Sequence, residues 1–229
     1  MNNKRLDASL DVGLIRVLTS NDQYFVDTHG RLIMENYPGI NVESICIPDQ
    51  WEGIHDDETL AKALPKIVEA AQGFADKDMI LVSCADDPAV DMIREEMPEL
   101  PVTGGGETTV AMALRYSSRV GVIGITDRPP RAYLSNAEGK IALYEKINQV
   151  NSTLDLLSDE GKRGVLECAR RIKEAGCGVI ALACTGMSTI GIAGLIERET
   201  GLPVVDPVIA EGAFAYHELI RKKYRNTGD

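Results

Sequence analysis

The 229-residue chain has no CxxC pair, no histidine ladder and only three histidines, His29, His55 and His217, which share no motif. Zinc sites need closely spaced Cys and His ligands, so no metal is expected and no residue is assigned to one. The five cysteines, Cys46, Cys84, Cys168, Cys177 and Cys184, are odd in number and widely spaced, which argues against a disulfide framework. No stretch approaches the about 20 consecutive apolar residues of a membrane span, so no membrane partner is expected. Residues 1–5 lead into a mixed polar segment without the apolar run of a secretory signal, and the chain is expected to stay in the cytoplasm. Basic residues do not cluster, and a net charge of -11 repels a phosphate backbone, so nucleic acid is not an expected partner. Gly104-Gly105-Gly106 lacks the lysine of a P-loop and the spacing of a dinucleotide fingerprint; it reads as a hinge between domains.

What is present is ordinary globular usage, 44% hydrophobic and 26% charged, in a chain long enough for one large or two small self-sufficient cores. Short β-branched runs at 12–18, 42–47 and 79–83 read as strands, and 25–37 and 57–74 between them carry apolar residues at helical spacing. The second half repeats the alternation, with strands at 120–125, 178–183 and 202–205, a helix at 159–175 between Ser158 as N-cap and Gly176 as stop, and a last helix at 209–224. Strands alternating with helices predict an α/β fold with parallel sheets. The run ending in Thr19 matches the run ending in Thr126, and the run ending in Cys84 matches the one ending in Cys184, each pair roughly a hundred residues apart. This reads as a pseudo-symmetric duplication that sets equivalent strand ends across a cleft.

Cys84 and Cys184 each follow an apolar run directly, which places both at C-terminal ends of parallel strands, where open α/β sheets hold their ligands. Turn residues follow each, and exposed amides with a helix N-terminus lower a thiol's pKa from its ordinary value of about 8.5. Two thiols on opposite lips suit stereoinversion at a carbon acid: one removes a proton from one face, the other delivers one to the opposite face. The carbanion's charge spreads into an adjacent carbonyl, which calls for preset donors. Ser83, Thr126, Thr185 and Gly186 are the candidates for that role.

Cys84-Ala85-Asp86-Asp87-Pro88 resembles the Cys-x-x-Asp-Pro turn of hydantoin racemases, and Ala183-Cys184-Thr185-Gly186-Met187 resembles their Gly-Cys-Ala-Gly-Met. Gly105-Gly106-Glu107, the strand ending in Thr126, and Val204-Val205-Asp206-Pro207-Val208 extend the likeness over roughly residues 12 to 215. On these motifs the chain resembles the aspartate/glutamate/hydantoin racemase superfamily. The resemblance implies two pseudo-symmetric α/β domains, each a parallel sheet flanked by helices, with the active site in the interdomain cleft. It implies domain bounds of 1–103 plus 207–229 and of 104–206. It also implies Cys84 and Cys184 as the acid/base pair, no pyridoxal phosphate or other cofactor, and a homo-oligomer. The substrate is expected to be hydantoin-like or an acidic amino acid, bound by Thr19, Ser20 and Asn21 after the first strand, by Ser83, Ala85 and Asp86 around the first thiol, and by Thr126, Thr185 and Gly186.

The sequence also departs from that pattern. The family's Asn-Pro-Asn-Thr reads Thr19-Ser20-Asn21-Asp22 here, and Thr185 stands where several glutamate racemases carry histidine. Both departures put the substrate in doubt. Other cysteines read as core (Cys46, Cys168) or turn (Cys177), and Asp86 and Asp87 serve capping as readily as chemistry. Arg128-Pro129-Pro130-Arg131 reads first as a solvated basic turn and second as a loop over the cleft. A cis-trans isomerase or decarboxylase of the same superfamily, a two-lobed sensor without turnover, and a flavodoxin-like module with inert thiols remain the alternatives.

Overall fold

A computed structural model describes residues 9–226, so residues 1–5 and the outermost ends of the first expected domain lie outside the described residues. The first half runs β1 (Leu10–Arg16), α1 (Gln23–Val26), α2 (Thr28–Asn36), β2 (Ile40–Cys46), α3 (Asp57–Gln72), β3 (Met79–Ser83), α4 (Val90–Glu96) and β4 (Val102–Gly104). The second runs α5 (Gly105–Tyr116), β5 (Val120–Gly124), α6 (Arg131–Asn136), β6 (Ile141–Lys146), a 3-10 turn (Thr153–Leu157), α7 (Asp159–Glu174), β7 (Val179–Leu182), α8 (Gly186–Thr189), α9 (Ala193–Thr200) and β8 (Val204–Val205), before α10 (Pro207–Asn226).

Each half builds a four-stranded sheet with every pairing parallel, ordered β2-β1-β3-β4 in one and β6-β5-β7-β8 in the other. The shared order is the duplication read from the sequence. Strands β3, β5 and β7 are buried along their whole length because helices cover both sheet faces, which is why they read as unbroken apolar runs. Ser158 caps α7 by accepting from the Gly161 amide at 3.0 Å, and Gly176 leaves that helix at φ 73°, a left-handed conformation that glycine adopts without strain. After the second sheet, α10 returns to the first: Val208, Ala215 and Leu219 join Leu10, Val12 and Leu14 in one core. Helix α5, by contrast, packs Val110 and Ala113 against Val120, Val179 and Ala181 of the second sheet. No helix of the described residues is long and apolar enough to cross a membrane.

One expectation needs correction, and two strands were missed. The helix expected at 25–37 is two helices, because the chain turns at Asp27, which closes α1 and opens α2. The edge strands β4 and β6 were not legible: β4 has three residues, and β6 (IALYEK) is half-exposed and mixes charge with apolar side chains. The Gly104-Gly105-Gly106 run, read as a hinge between domains, is the junction where β4 of the first sheet becomes α5, which packs against the second. Glycine is a poor helix former, yet here the Asp87 carboxylate accepts from the amides of Gly106 and Glu107, both at 2.6 Å, and caps the helix from another loop. A Cβ on Gly106 would lie 2.3 Å from the Ala85 carbonyl oxygen, so the glycine is what lets α5 approach the Cys84 turn.

Candidate active site

The C-terminal ends of both sheets open onto one cavity of about 410 Å³. Its walls come from both halves: the end of β1, residues 53–57 before and at the start of α3, and residues 83–86 on one side; residues 125–131, Thr153 and residues 183–185 on the other. Cys84 and Cys184 both line it. So do Ser83, Ala85, Asp86, Thr126 and Thr185.

Thr19, Ser20, Asn21 and Gly186 do not line it. The Thr19 hydroxyl donates to the Ile47 carbonyl at 2.6 Å and accepts from the Gln50 amide at 2.7 Å, tying the loop after β1 to the loop after β2. Ser20 accepts from the Asp22 amide, and Asn21 is exposed. Gly186 acts through the space it leaves: a Cβ there would sit 2.5 Å from Thr153 Cγ2 and 3.4 Å from the Cys184 sulfur.

The hydroxyls expected to face substrate are already engaged within the protein. Ser83 Oγ donates to Glu211 Oε2 at 2.8 Å and lies 3.0 Å from His29 Nδ1, while His29 Nε2 meets Thr189 Oγ1 at 2.9 Å. This buried chain joins β3, α10, α2 and α8 beneath the two thiols. Burial pushes the Glu211 carboxyl well up, with the Ser83 hydrogen bond opposing, and keeps His29 neutral, with Arg16 adding to the effect. Thr126 donates to the Arg128 carbonyl at 2.8 Å and Thr185 to the Ser83 carbonyl at 3.4 Å.

The two thiols differ in their surroundings. Burial pushes the Cys84 thiol well up; the Asp86 amide pulls it back, and the carboxylates of Asp86 and Asp87 raise it further. Burial also raises Cys184, but against it stand the Thr153 hydroxyl at 3.6 Å, the amides of Gly186 and Met187, and the charge of Arg16. Asp86 accepts from the Arg131 amide, which ties the Cys84 turn to the opposite wall. Arg128 and Arg131 line the cavity and both bind Asp57 Oδ1, at 2.9 and 2.7 Å, so the basic turn does lie over the cleft and is held from across it.

Sequence reasoning did not single out Arg16, Thr153 or residues 53–57. Arg16 left a signal, a charge closing an apolar strand; Thr153 left none, since its contact with Cys184 spans 31 positions. Among the described residues no group of three or more His, Cys, Asp or Glu side chains is placed to hold a metal.

Residues 26–213 match the family described as Asp/Glu/Hydantoin racemase. The hydantoin racemase of Paenarthrobacter aurescens is 26% identical over 179 residues, 71% of this chain and 70% of that protein. Among solved structures, allantoin racemase from Klebsiella pneumoniae superposes with a TM-score of 0.80 at 24% identity, covering 93% of this chain and 89% of that one. Nocardia farcinica maleate cis-trans isomerase gives 0.70 at 20% identity, covering 92% of each. At these identities the structural likenesses speak for the fold.

Proposed function

The chain belongs to the Asp/Glu/hydantoin racemase family and is an isomerase of that racemase type; from that premise we propose that it inverts a small carbon acid by proton transfer between Cys84 and Cys184. One observation carries the reading: the two thiols, on equivalent strand ends of two sheets with one strand order, line a single cavity. One base alone returns a proton to the face it came from. With two, a thiolate takes the proton from one face and becomes a thiol, the C–H electron pair passes into a planar carbanion conjugated with a carbonyl, and the second thiol protonates the other face and becomes the thiolate. Protons and charge balance, and no electron leaves the system. The cavity volume falls within the roughly 300–1,000 Å³ of small-molecule sites. It suits a compound the size of a substituted hydantoin.

Hydantoin-like compounds come first as substrates, because the relative of that name shares the sequence over most of its length. Acidic amino acids come second. The domain division at 1–103 plus 207–229 and 104–206 belongs to the same reading and is supported by α10 returning to the first sheet.

The test is incubation in deuterated water with single enantiomers of 5-substituted hydantoins, allantoin, aspartate and glutamate, followed by NMR and optical rotation. Racemisation with uptake of deuterium at the stereocentre, lost on Cys84→Ser and on Cys184→Ser, is the expected result. Racemisation that survives either change would sink the two-thiol mechanism. Binding of one compound without any exchange would turn the reading toward a sensor.

A further inference from the structure

His29 stands on α2 in the first half of the molecule, with none of its surface exposed, and burial keeps its ring neutral. Its Nδ1 is 3.0 Å from Ser83 Oγ at the end of β3, and its Nε2 is 2.9 Å from Thr189 Oγ1 at the end of α8 in the second half. Ser83 gives its proton to Glu211 at 2.8 Å, so the ring donates at Nδ1 and accepts at Nε2, which one neutral imidazole does at once. Two more contacts close a loop. Thr189 Oγ1 lies 3.4 Å from the Thr185 carbonyl, and Thr185 Oγ1 donates to the Ser83 carbonyl at 3.4 Å.

Three members of this loop belong to the segments that carry the thiols: Ser83 precedes Cys84, Thr185 follows Cys184, and Thr189 ends the helix that the Cys184 turn opens. His29 comes from a different element and reaches both segments. An apolar side chain in its place would fill the space without the cost of burying two ring nitrogens. What the imidazole adds is a fixed spacing. Its nitrogens are held apart by a rigid ring, and hydrogen bonds weaken steeply when distance or angle departs from the optimum, so neither hydroxyl can slide past the other without breaking a bond. The pairs of Arg128 and Arg131 with Asp57 at the rim join side chains that are more than half exposed, and they impose no such constraint.

We infer that His29 is a positioning residue that clasps the Cys84 turn to the Cys184 turn, through Ser83 and Thr189, and so sets the separation of the two thiols across the cavity. Inversion needs one sulfur within reach of each face of the same carbon, so that separation is a quantity the reaction uses. The clasp joins the first half to the second beside the reacting groups, where a small slip of one sheet against the other would carry one sulfur away from the carbon.

The inference rests on the two-thiol reading, but its test needs no turnover, so the two fail separately. The intact protein is treated either with dibromobimane, a short rigid bridge between thiols, or with bismaleimidohexane, a longer flexible one, and the rate at which Cys84 becomes linked to Cys184 is followed by peptide mass spectrometry. In the wild type the short bridge is expected to form readily. Thr189→Val removes the hydroxyl and keeps the shape; it is expected to slow the short bridge about 10-fold and to leave the long one unchanged, since misplacing reacting groups by about 1 Å has effects of that order or larger. Thr189→Ser returns the hydroxyl and is expected to return the short bridge. A merely structural role would lower stability in urea without separating the two reagents. His29→Leu is expected to behave as Thr189→Val does, and if circular dichroism shows it unfolded, the threonine variants decide. The inference is overturned if Thr189→Val forms the short bridge as fast as the wild type, or if Thr189→Ser is as slow as Thr189→Val. A wild type that forms neither bridge would sink the two-thiol reading and the clasp with it.

Discussion

The turn after Cys84 and the turn after Cys184 leave equivalent strands of two sheets with one strand order, and they surround their sulfurs differently. Position by position, Ser83, Cys84, Ala85, Asp86 and Asp87 stand against Ala183, Cys184, Thr185, Gly186 and Met187. The first turn puts carboxylates beside its thiol; the second opens α8, whose first amides oppose the rise that burial imposes on its thiol, and leaves room for the Thr153 side chain. The shared strand order accounts for the shared location. The loops account for the difference in proton affinity, and a reaction that takes a proton with one thiol and gives one with the other uses that difference.

The largest expected effect comes from breaking the comparison at the sulfurs. Cys84→Ser and Cys184→Ser should each lower racemisation by about 10²–10⁴-fold, the usual contribution of a positioned acid or base. Assays started from each enantiomer separately measure this, and a variant that keeps more than a tenth of the rate in both directions would remove that cysteine from the mechanism.

Asp87, whose counterpart is Met187, gives the next effect. It sits at φ 51° and caps α5, and burial pushes its carboxyl up to about 7 against the pull of the Gly106 and Glu107 amides. A raised folded pKa means that the stability this group contributes is present below its ordinary value of 3.8 and is lost progressively as pH rises to about 7. Asn tolerates the left-handed backbone but cannot accept on both atoms, so Asp87→Asn should be less stable than wild type by about 1 kcal/mol in acid. Toward neutrality the order should reverse, by at most about 4 kcal/mol for a three-unit shift. Melting curves of both proteins across that window decide it; parallel curves would show that Asp87 is ionised throughout.

Ser83→Ala makes the first turn resemble the second at the position before the thiol, where Ala183 already stands. It strips a partner from both Glu211 and His29 in a buried chain, which costs about 1–3 kcal/mol. Urea denaturation measures the loss. No loss would mean that the two side chains re-pair once the hydroxyl is gone.

The inner strands and the long helices were legible because burial on both faces and helical spacing leave patterns in single residues. Strand β3 was read with its observed bounds and α7 to within a residue of its end. Helix α5 was hidden by its glycines, because what makes it helical is a carboxylate about twenty positions away in sequence. The two thiols were legible because each ends an apolar run: Cys84 follows β3 directly, and Cys184 follows β7 after Ala183. Ser83, Ala85, Asp86, Thr126 and Thr185, read from the same strand ends, line the cavity too, whereas Thr153, residues 53–57 and Arg16 were not singled out because tertiary packing and strand register, not a local motif, bring them there. The loop Thr19-Ser20-Asn21 shows the converse: it was assigned to substrate by resemblance, and here its threonine ties two loops of the first half together.

The smallest effect is expected where the two halves meet at the surface. Asp57 receives Arg128 and Arg131 from the opposite wall, but its side chain is 71% exposed and theirs are 64% and 58% exposed. Exposed pairs are worth at most about 1 kcal/mol, because water screens the charges and long side chains lose freedom in pairing. Against them stands the half-buried contact between the halves, His29 to Thr189 at 2.9 Å. Asp57→Ala should therefore shift thermal unfolding only slightly, and the shift should shrink further in about 1 M salt, where the screening length is about 3 Å. A loss above about 2 kcal/mol that vanished in salt would mean that the rim pairs, rather than the contact of His29 with Thr189, hold the cleft at its width. The spacing of the two thiols would then depend on ionic strength.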